Sequence, residues 1–512
     1  MSTGASVAES ARTATKIRLL TVPAAAGLLY AIIGVWGLRF VYLSDFFQMI
    51  WLADAQRAGI ATAYANGFLG MGYPALLNVV TWATGNILTS GKLIQAVSGA
   101  AILFMLPAVM RHAFGDARGS LWAQSLLAVD AVFVFAAAGE TPDLLAAAFM
   151  VGGVLAATMF VRRPSAAAAC AAGLALGLGY LVRYHCLLLL PWLTLAMAVL
   201  APGRRRTSLW ALAAFVVAAS PQFIVSALVQ GNPLFNLHIK SVAMGYYGVS
   251  SDFVEKTRPY TLWRVLTENP AAVAKQYTIF VARYFAEIGG SILLLGGAFL
   301  STRKESRGWV MVAVPAIALT GLLAAKFYTD RAILFQLAMW YLVVGRVLAH
   351  LLSSNESRWT RAMAFALAMG IAASSVLDAG RMWSRMARLR DRNSEITTVL
   401  RGAGIDSSRS VFTTHLSYYL ADDPAGGAFY PHDTWLLYDP AYAREFPHAY
   451  LTDLASLEAF AGRHRLRFLL LGPLTADIAP AVFEAHRAGS LGPRFRLLRD
   501  WGDLALYEHV GS

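Results

Sequence analysis

Long apolar runs separated by short polar turns fill the first three quarters of the chain. Runs of about 17–23 residues are long enough to cross a bilayer as helices, and roughly eleven of them can be placed along the sequence. They cover residues 20–42, 92–110, 121–138, 143–161, 165–182, 184–201, 208–229, 279–300, 308–326, 331–350 and 361–378. The pattern predicts a mainly α, polytopic membrane helical bundle.

Several of the polar segments between the apolar runs are strongly basic, and they predict how the chain is oriented in the membrane. If the N-terminus lies in the cytoplasm and the helices alternate, every cytoplasmic turn is short and basic, as the positive-inside rule requires. These turns are Arg111 to Arg118, Arg162-Arg163, Arg204-Arg205-Arg206, Arg303 to Arg307 and Arg358 to Arg361. The pattern predicts a multi-pass protein of the cell (inner) membrane, with a cytoplasmic N-terminus retained as the start of the first helix and an extracytoplasmic C-terminal domain.

The opposite side receives everything that is too polar or too long to be a simple turn. It holds outer loops at residues 43–91 and 230–278, and short turns at 139–143, 183–185 and 326–331. Within the first loop, Phe46–Gly59 and Gly72–Leu88 are amphipathic and predict juxtamembrane helices on the outer face. Any substantial activity is therefore expected to face outward.

The C-terminal tail differs in kind from the bundle. Val411–Thr414 and Arg467–Leu471 predict strands, Leu454–His464 and Ile478–Gly489 predict helices, and residues 496–499 and 504–509 predict a closing hairpin. We therefore expect a transmembrane domain at residues 1–378 and a small extracytoplasmic α/β domain at residues 379–512. The tail shows no glycine-rich phosphate loop and no nucleophile motif.

Composition supports a membrane protein and excludes other classes. Hydrophobic residues make up 57% of the 512 positions and charged residues only 14%, against about 25% charged in soluble domains. The formal charge of +13 is explained by the basic turns, and no basic stripe with interleaved aromatic residues predicts a nucleic-acid partner. The two cysteines, Cys170 and Cys186, form no disulfide or metal motif.

Asp45 is the first candidate for chemistry, because it follows the first apolar run and opens the first outer loop. A carboxylate there could act as a general base for an attacking hydroxyl, with a pKa tuned by partial burial. Equally, Ser44 and Asp45 could simply cap the surface helix that follows. Both interpretations stay open.

Two further acidic residues lie on the same side, in the segment Glu140-Thr141-Pro142-Asp143. Asp143 is well placed to stabilise a helix start, where the dipole favours a negative charge. Capping does not explain Glu140, so both are kept as catalytic candidates. Asp130, in the middle of a span, must face the protein interior and is expected to be structural.

Cations in the outer turns are unexpected under the positive-inside rule. Arg183 and His185 share one turn, and Lys326, Tyr328 and Arg331 share another. Such cations could bind a phosphate, although snorkelling to the interface, or for Tyr328 the aromatic belt, would also account for them. His238 and Lys240 add to the same surface as candidate substrate contacts, and no ligand spacing predicts a metal site.

Several stretches together resemble the GT-C superfamily of membrane glycosyltransferases. Within it, the chain is similar to the protein O-mannosyltransferase and lipid A aminoarabinose transferase group. The likeness rests on Ser44–Gly59, Gly72-Tyr73-Pro74, Gly173–Tyr184, Gly231-Asn232-Pro233 and Asp330-Arg331. Many relatives carry a second acidic residue directly after the first-loop aspartate. In this chain Phe46 occupies that position, so Asp45 has no acidic neighbour in the sequence.

The resemblance implies a glycosyltransferase that takes a sugar from a polyprenyl-phosphate donor. By position, Asp45 would be the catalytic carboxylate and Glu140 or Asp143 a helper. Donor phosphate would contact Arg183, Lys326 and Arg331. The acceptor would be a lipid, a glycan or a protein, and the need for a divalent cation is left open.

The alternative function is a transporter or flippase for lipid-linked sugars, which would predict broken helices and an internal repeat. A further alternative is a membrane scaffold whose C-terminal domain binds a partner.

Overall fold

The computed structural model describes most of the bundle and part of the C-terminal tail. The described residues are 19–38, 45–65, 69–235, 262–268, 270–287, 290–324, 333–353, 356–405, 411–413, 453–463, 465–472 and 480–510.

Helices account for nearly all of the described structure before residue 405. They are α1 Leu19–Gly37, α2 Asp45–Arg57, α3 Gly72–Thr84, α4 Ile87–Phe114, α5 Ser120–Val129, α6 Ala131–Ala137, α7 Asp143–Arg162, α8 Ala166–Val182, α9 Leu190–Leu200, α10 Trp210–Gln230, α11 Leu262–Glu268, α12 Pro270–Glu287, α13 Gly290–Thr302, α14 Ser306–Ala324, α15 Leu334–Leu351 and α16 Arg358–Gly402. Short helical turns precede α9 and α10.

The described part of each apolar run singled out in the sequence falls on one of these helices or on a pair of them. Among the described residues, seven helices are long and apolar enough to cross a membrane, or eight if α5 and α6 form one bent span. Two shorter apolar helices cover residues 166–182 and 184–200. The helical membrane bundle is therefore confirmed, and the figure of eleven crossings stays a prediction.

Glycine and alanine let the central helices approach closely. A Cβ atom at Gly173 would lie 2.0 Å from the carbonyl oxygen of Ala211, and one at Gly177 would lie 2.6 Å from the Cβ of Ala218. Only a residue without a side chain fits at these two points of contact between α8 and α10. Helix α8 is rich in alanine and glycine, and such small residues allow helix backbones to touch in the absence of a hydrophobic driving force between helices.

The span formed by α5 and α6 is broken at Asp130. The two helices meet at an angle of 72°. The Asp130 carboxylate accepts a hydrogen bond from the amide of Phe133, which caps α6, and another from the hydroxyl of Tyr341 at 2.9 Å. Both carboxylate oxygens are therefore used inside the protein, as expected for a carboxylate at membrane depth.

One end of the bundle is closed by a buried arginine, and we call it the Arg346 end. The side chain of Arg346, on α15, is 1% exposed and donates to both carboxylate oxygens of Glu305, at 2.5 and 2.8 Å, and to Asp116 at 2.5 Å. Partial burial alone would raise the pKa of Asp116, but hydrogen bonds from Arg118 and Arg346 outweigh it and lower that pKa to about 2. The network joins two of the turns predicted to be cytoplasmic.

The C-terminal unit is a small sheet built onto the far end of α16. Its elements are β1 Val411–Thr413, α17 Leu454–Arg463, β2 Phe468–Leu471, α18 Pro480–Arg487, β3 Phe495–Asp500 and β4 Ala505–His509. The strand order is β1-β2-β4-β3, with β1 parallel to β2 and the other pairs antiparallel. The predicted α/β character and the closing hairpin are confirmed.

Helix α16 continues through the predicted domain boundary at residue 378 without a break. Its last turns carry Ile396 and Leu400, which are buried in one core with Phe468 and Leu506 of the sheet. Trp501 also donates its indole N–H to Glu395 at 2.7 Å. The helix is thus part of the bundle at its start and part of the C-terminal core at its end.

Replacing Arg346 with Met is expected to destabilise the protein by about 3–5 kcal/mol, because Glu305 would lose both hydrogen bonds from the guanidinium at a largely buried site. Arg303→Met provides the control, since Arg303 is 42% exposed and its ion pair with Glu356 is peripheral. Thermal unfolding in a neutral detergent measures the difference. Equal unfolding temperatures for the two variants would contradict this account of the Arg346 end.

Candidate functional site

The opposite end of the bundle, which we call the Glu140 end, contains a fully buried ion pair. Glu140 lies in the turn between α6 and α7, and Lys92 lies in the first turns of α4. The Nζ atom of Lys92 is 3.6 Å from the Oε2 atom of Glu140, and both side chains are at most 1% exposed. A charge buried to this extent requires an opposite charge beside it, so the pair fixes this turn to α4.

A hydrogen-bond network continues from this pair into α3 and α7. The hydroxyl of Tyr73 donates to the backbone carbonyl of Glu140, and the side chain of Gln95 donates to Tyr73 at 3.3 Å. Gln95 in turn accepts from the amide of Leu145 in the first turn of α7. Burial raises the pKa of Tyr73 well above its ordinary value, so its phenol stays protonated and keeps its role as donor.

Asp143 and Arg183 form a second ion pair close to the surface. The Asp143 carboxylate and an Nη atom of Arg183 are 2.9 Å apart, with side-chain exposures of 11% and 13%. Asp143 opens α7 and Arg183 ends α8, so each charge also lies at the helix end whose dipole favours it. Unlike Lys92 and Glu140, both side chains retain a path to solvent.

The start of α2 lies beside the turn of Glu140. A Cβ atom at Gly91 would lie 2.8 Å from the ring of Phe46 and 3.2 Å from the Cβ of Glu140. Helix α2 begins at Asp45, directly before Phe46. The backbone of Asp45 is thus brought to the Glu140 end, and the position of its side chain lies outside the described structure.

The loop before α3 closes the same end from the side of α8. A Cβ atom at Gly70 would lie 1.9 Å from the carbonyl oxygen of Leu181, so no other residue fits there. The hydroxyl of Tyr184 donates to the carbonyl of Leu69 at 2.9 Å. His185 is half-buried in the short helix that follows Arg183.

The remaining predicted site residues lie outside the described ranges. They are Lys326, Tyr328, Arg331, His238 and Lys240. The helices that flank residues 325–332 are described, and α14 ends and α15 begins at the end opposite Arg346. Within the described part of the chain, no group of three or more His, Cys, Asp or Glu side chains is placed to hold a metal ion.

Sequence reasoning did not select Lys92, Tyr73 or Gln95. Lys92 is the first residue of a predicted span, where it can be taken for an interfacial cation. The sequence did contain a signal that could have found Lys92. It lies at the end of its span that is predicted to face outward, where the positive-inside rule expects few cations.

The sequence and the fold were compared with known proteins. The profile of the family described as dolichyl-phosphate-mannose-protein mannosyltransferase matches residues 70–228, which include Glu140, Asp143 and Arg183. No curated protein matches the sequence.

Among the solved structures that match, two do so over nearly the whole chain. ArnT from Cupriavidus metallidurans bound to undecaprenyl phosphate is 14% identical, with a TM-score of 0.56 over 96% of this chain and 98% of that one. The apo state of the same protein is also 14% identical, with a TM-score of 0.56 over 98% of each chain. At this identity the likeness shows the fold, so the chain has the GT-C fold that its resemblance implied.

The family profile and the fold together support a multi-pass membrane glycosyltransferase. The profile covers the turn of Glu140 and the pair of Asp143 with Arg183. It does not extend to Asp45 or to residues 325–332.

Replacing Lys92 with Met is expected to destabilise the fold by about 3–5 kcal/mol, because Glu140 would keep a buried charge without its cation. Adding Glu140→Gln to that variant should restore most of the loss. Lys275→Met, at an exposed position of α12, is the control. Unfolding temperatures of the purified proteins provide the measurement, and a double variant as unstable as the single one would argue against the pair.

Proposed function

We propose that the protein transfers a sugar from a polyprenyl-phosphate donor to an acceptor on the extracytoplasmic face of the membrane. The observation that supports it most is the ion pair of Asp143 with Arg183, next to the turn of Glu140 and the start of α2 at Asp45. This places a partly exposed guanidinium at the same end of the bundle as the backbone of a candidate base.

Arg183 is the proposed anchor for the donor phosphate. A guanidinium binds phosphate oxygens through two parallel hydrogen bonds, and a neighbouring carboxylate fixes its orientation. The solved ArnT structure contains undecaprenyl phosphate, and by analogy of fold we extend a donor of this class to the present chain. Lys326 and Arg331 are proposed as further phosphate contacts, and His185, His238, Lys240 and Tyr328 as contacts to sugar or acceptor.

The proposed reaction is a single displacement at the anomeric carbon of the sugar. The acceptor oxygen forms a bond to this carbon while the bond from carbon to the donor phosphate oxygen breaks. Asp45 takes the proton of the acceptor, and Arg183 stabilises the negative charge on the departing polyprenyl phosphate. A divalent cation could also stabilise the charge on the departing phosphate, so the assay is run with and without a chelator.

The two other acidic residues receive different roles. Asp143 is the proposed helper, because it is accessible and holds Arg183. Glu140 is fully buried and paired with Lys92, so we propose that it positions the turn between α6 and α7 instead of contacting the acceptor.

Transport of a lipid-linked sugar is the alternative, and one observation bears on it. A broken span with a carboxylate at the break is a feature of many transporters. In this chain, however, both oxygens of Asp130 accept hydrogen bonds from the protein, one from the amide of Phe133 and one from Tyr341. This arrangement favours a structural role for the break.

Asp45→Asn is expected to lower sugar transfer by roughly 100-fold or more, since a positioned base contributes about that much. Membranes would be supplied with a panel of radiolabelled polyprenyl-phosphate sugars, with and without EDTA, after insertion and abundance are matched. Asp378→Asn is the control, because Asp378 is exposed and pairs only locally with Arg381. If both variants transfer sugar, Asp45 is not the base. If the wild type transfers no sugar from any donor, transport is the favoured function.

Arg183→Gln is expected to raise the KM for the donor by about tenfold or more, because a charge-assisted contact to phosphate is lost. Arg183→Lys should recover only part of this, since the ammonium lacks the planar fork. Arg163→Gln, at the other end of the bundle, should leave KM unchanged. A KM unaffected by Arg183→Gln would exclude a donor-phosphate role for this side chain.

A further inference from the structure

A separate cavity lies at the Arg346 end, remote from the residues proposed for sugar transfer. It is bounded by the ends of α4 and α7 and by the turn that joins α13 to α14, and its volume is about 190 Å³. This is several times the ~30 Å³ that one water occupies in the liquid. The cavity is therefore large enough for a phosphate-sized group.

The charges around this cavity do not balance. Arg162, Lys304 and Arg307 line it together with one carboxylate, that of Glu305. Glu305 is already bound by Arg346 through two hydrogen bonds and lies 3.2 Å from His350. Among the described residues, no carboxylate forms an ion pair with the three cations, so the cavity carries an excess of positive charge.

Backbone contacts hold two of the lining residues in place. Arg162 donates from Nε to the carbonyl oxygen of His112 at 2.7 Å and lies over Gly115, where a Cβ atom would be 2.9 Å from its Nη2 atom. Lys304 has a φ of +62°, a left-handed conformation that is uncommon for a residue with a side chain. The amide of Lys304 donates to Ser301 and that of Glu305 to Leu300, so this left-handed residue closes the C-terminal end of α13 and fixes the backbone of the turn that lines the cavity.

We propose that this cavity binds a phosphate group, carried by an anionic lipid headgroup or free in solution. Basic pockets between membrane helices on the cytoplasmic side are suited to such headgroups, and this is the end predicted to be cytoplasmic. Phe114, Val161 and Met311 provide apolar walls beside the cations, as a ligand with both a charged and an apolar part requires.

The positive-inside rule alone does not account for this arrangement. It explains why basic residues occur in these turns, but not why cations from two different turns meet in one cavity. Arg163 shows the difference, because it follows Arg162 directly and is likewise exposed, yet it does not line the cavity.

The test uses the purified full-length protein in a neutral detergent, stripped of lipid. Dihexanoyl phosphatidylglycerol, dihexanoyl phosphatidylcholine and inorganic phosphate would be titrated separately while the unfolding temperature is followed. The cavity variant is Lys304→Gln with Arg307→Gln, and the control with the same charge change is Arg163→Gln with Arg358→Gln. Arg307→Glu is a second cavity variant, in case the first fails to fold.

The wild type and the control should be stabilised by phosphatidylglycerol but not by phosphatidylcholine, and the cavity variants should bind about tenfold more weakly or worse. Stabilisation by phosphatidylglycerol alone identifies a lipid headgroup as the ligand. If inorganic phosphate also stabilises the wild type and this effect is lost in the cavity variants, the phosphate group alone is what the cavity recognises. Equal responses of cavity and control variants, or no response of the wild type to either anion, would overturn the proposal.

Discussion

A bilayer interior offers no water to solvate a charge, so each ionised side chain of a membrane bundle needs a partner from the protein. Here that constraint is met at both ends of α4. Lys92, near its start, binds Glu140, while the turn after its end supplies Asp116 to Arg346. Helix α4 is thus held at one end to the turn before α7 and at the other, through the turn that follows it, to α15, so it cannot slide along either partner without separating an ion pair.

The Glu140 end uses this rigidity to position groups that remain accessible. The buried pair and the network of Tyr73 and Gln95 fix the turn between α6 and α7. That turn leads directly into Asp143, whose carboxylate orients Arg183. A buried layer therefore supports an accessible layer, and it is the accessible layer that could meet a lipid-linked substrate.

The sequence predicted the helical runs and the C-terminal strands because hydropathy is a local signal. It did not predict the partner of Glu140, since 48 residues separate Lys92 from it along the chain and no periodic pattern connects distant turns. The break at Asp130 was also hidden, because residues 121–138 form one apolar run whether the helix is straight or bent. At residue 378 hydropathy predicted a boundary that the helix does not have. The apolar run ends there, but helix α16 continues to Gly402.

The continuity of α16 has a mechanical consequence. Its 45 residues give a rod of about 68 Å, roughly twice the ~30 Å of a hydrocarbon core. Its first part runs through the bundle, and further along Met386 is still buried against Leu38 and Phe135. Because tilt is set by packing against neighbouring helices, these contacts tie the direction of the rod to that of the bundle. The helix thus acts as a strut that holds the C-terminal sheet at a set height above the Glu140 end.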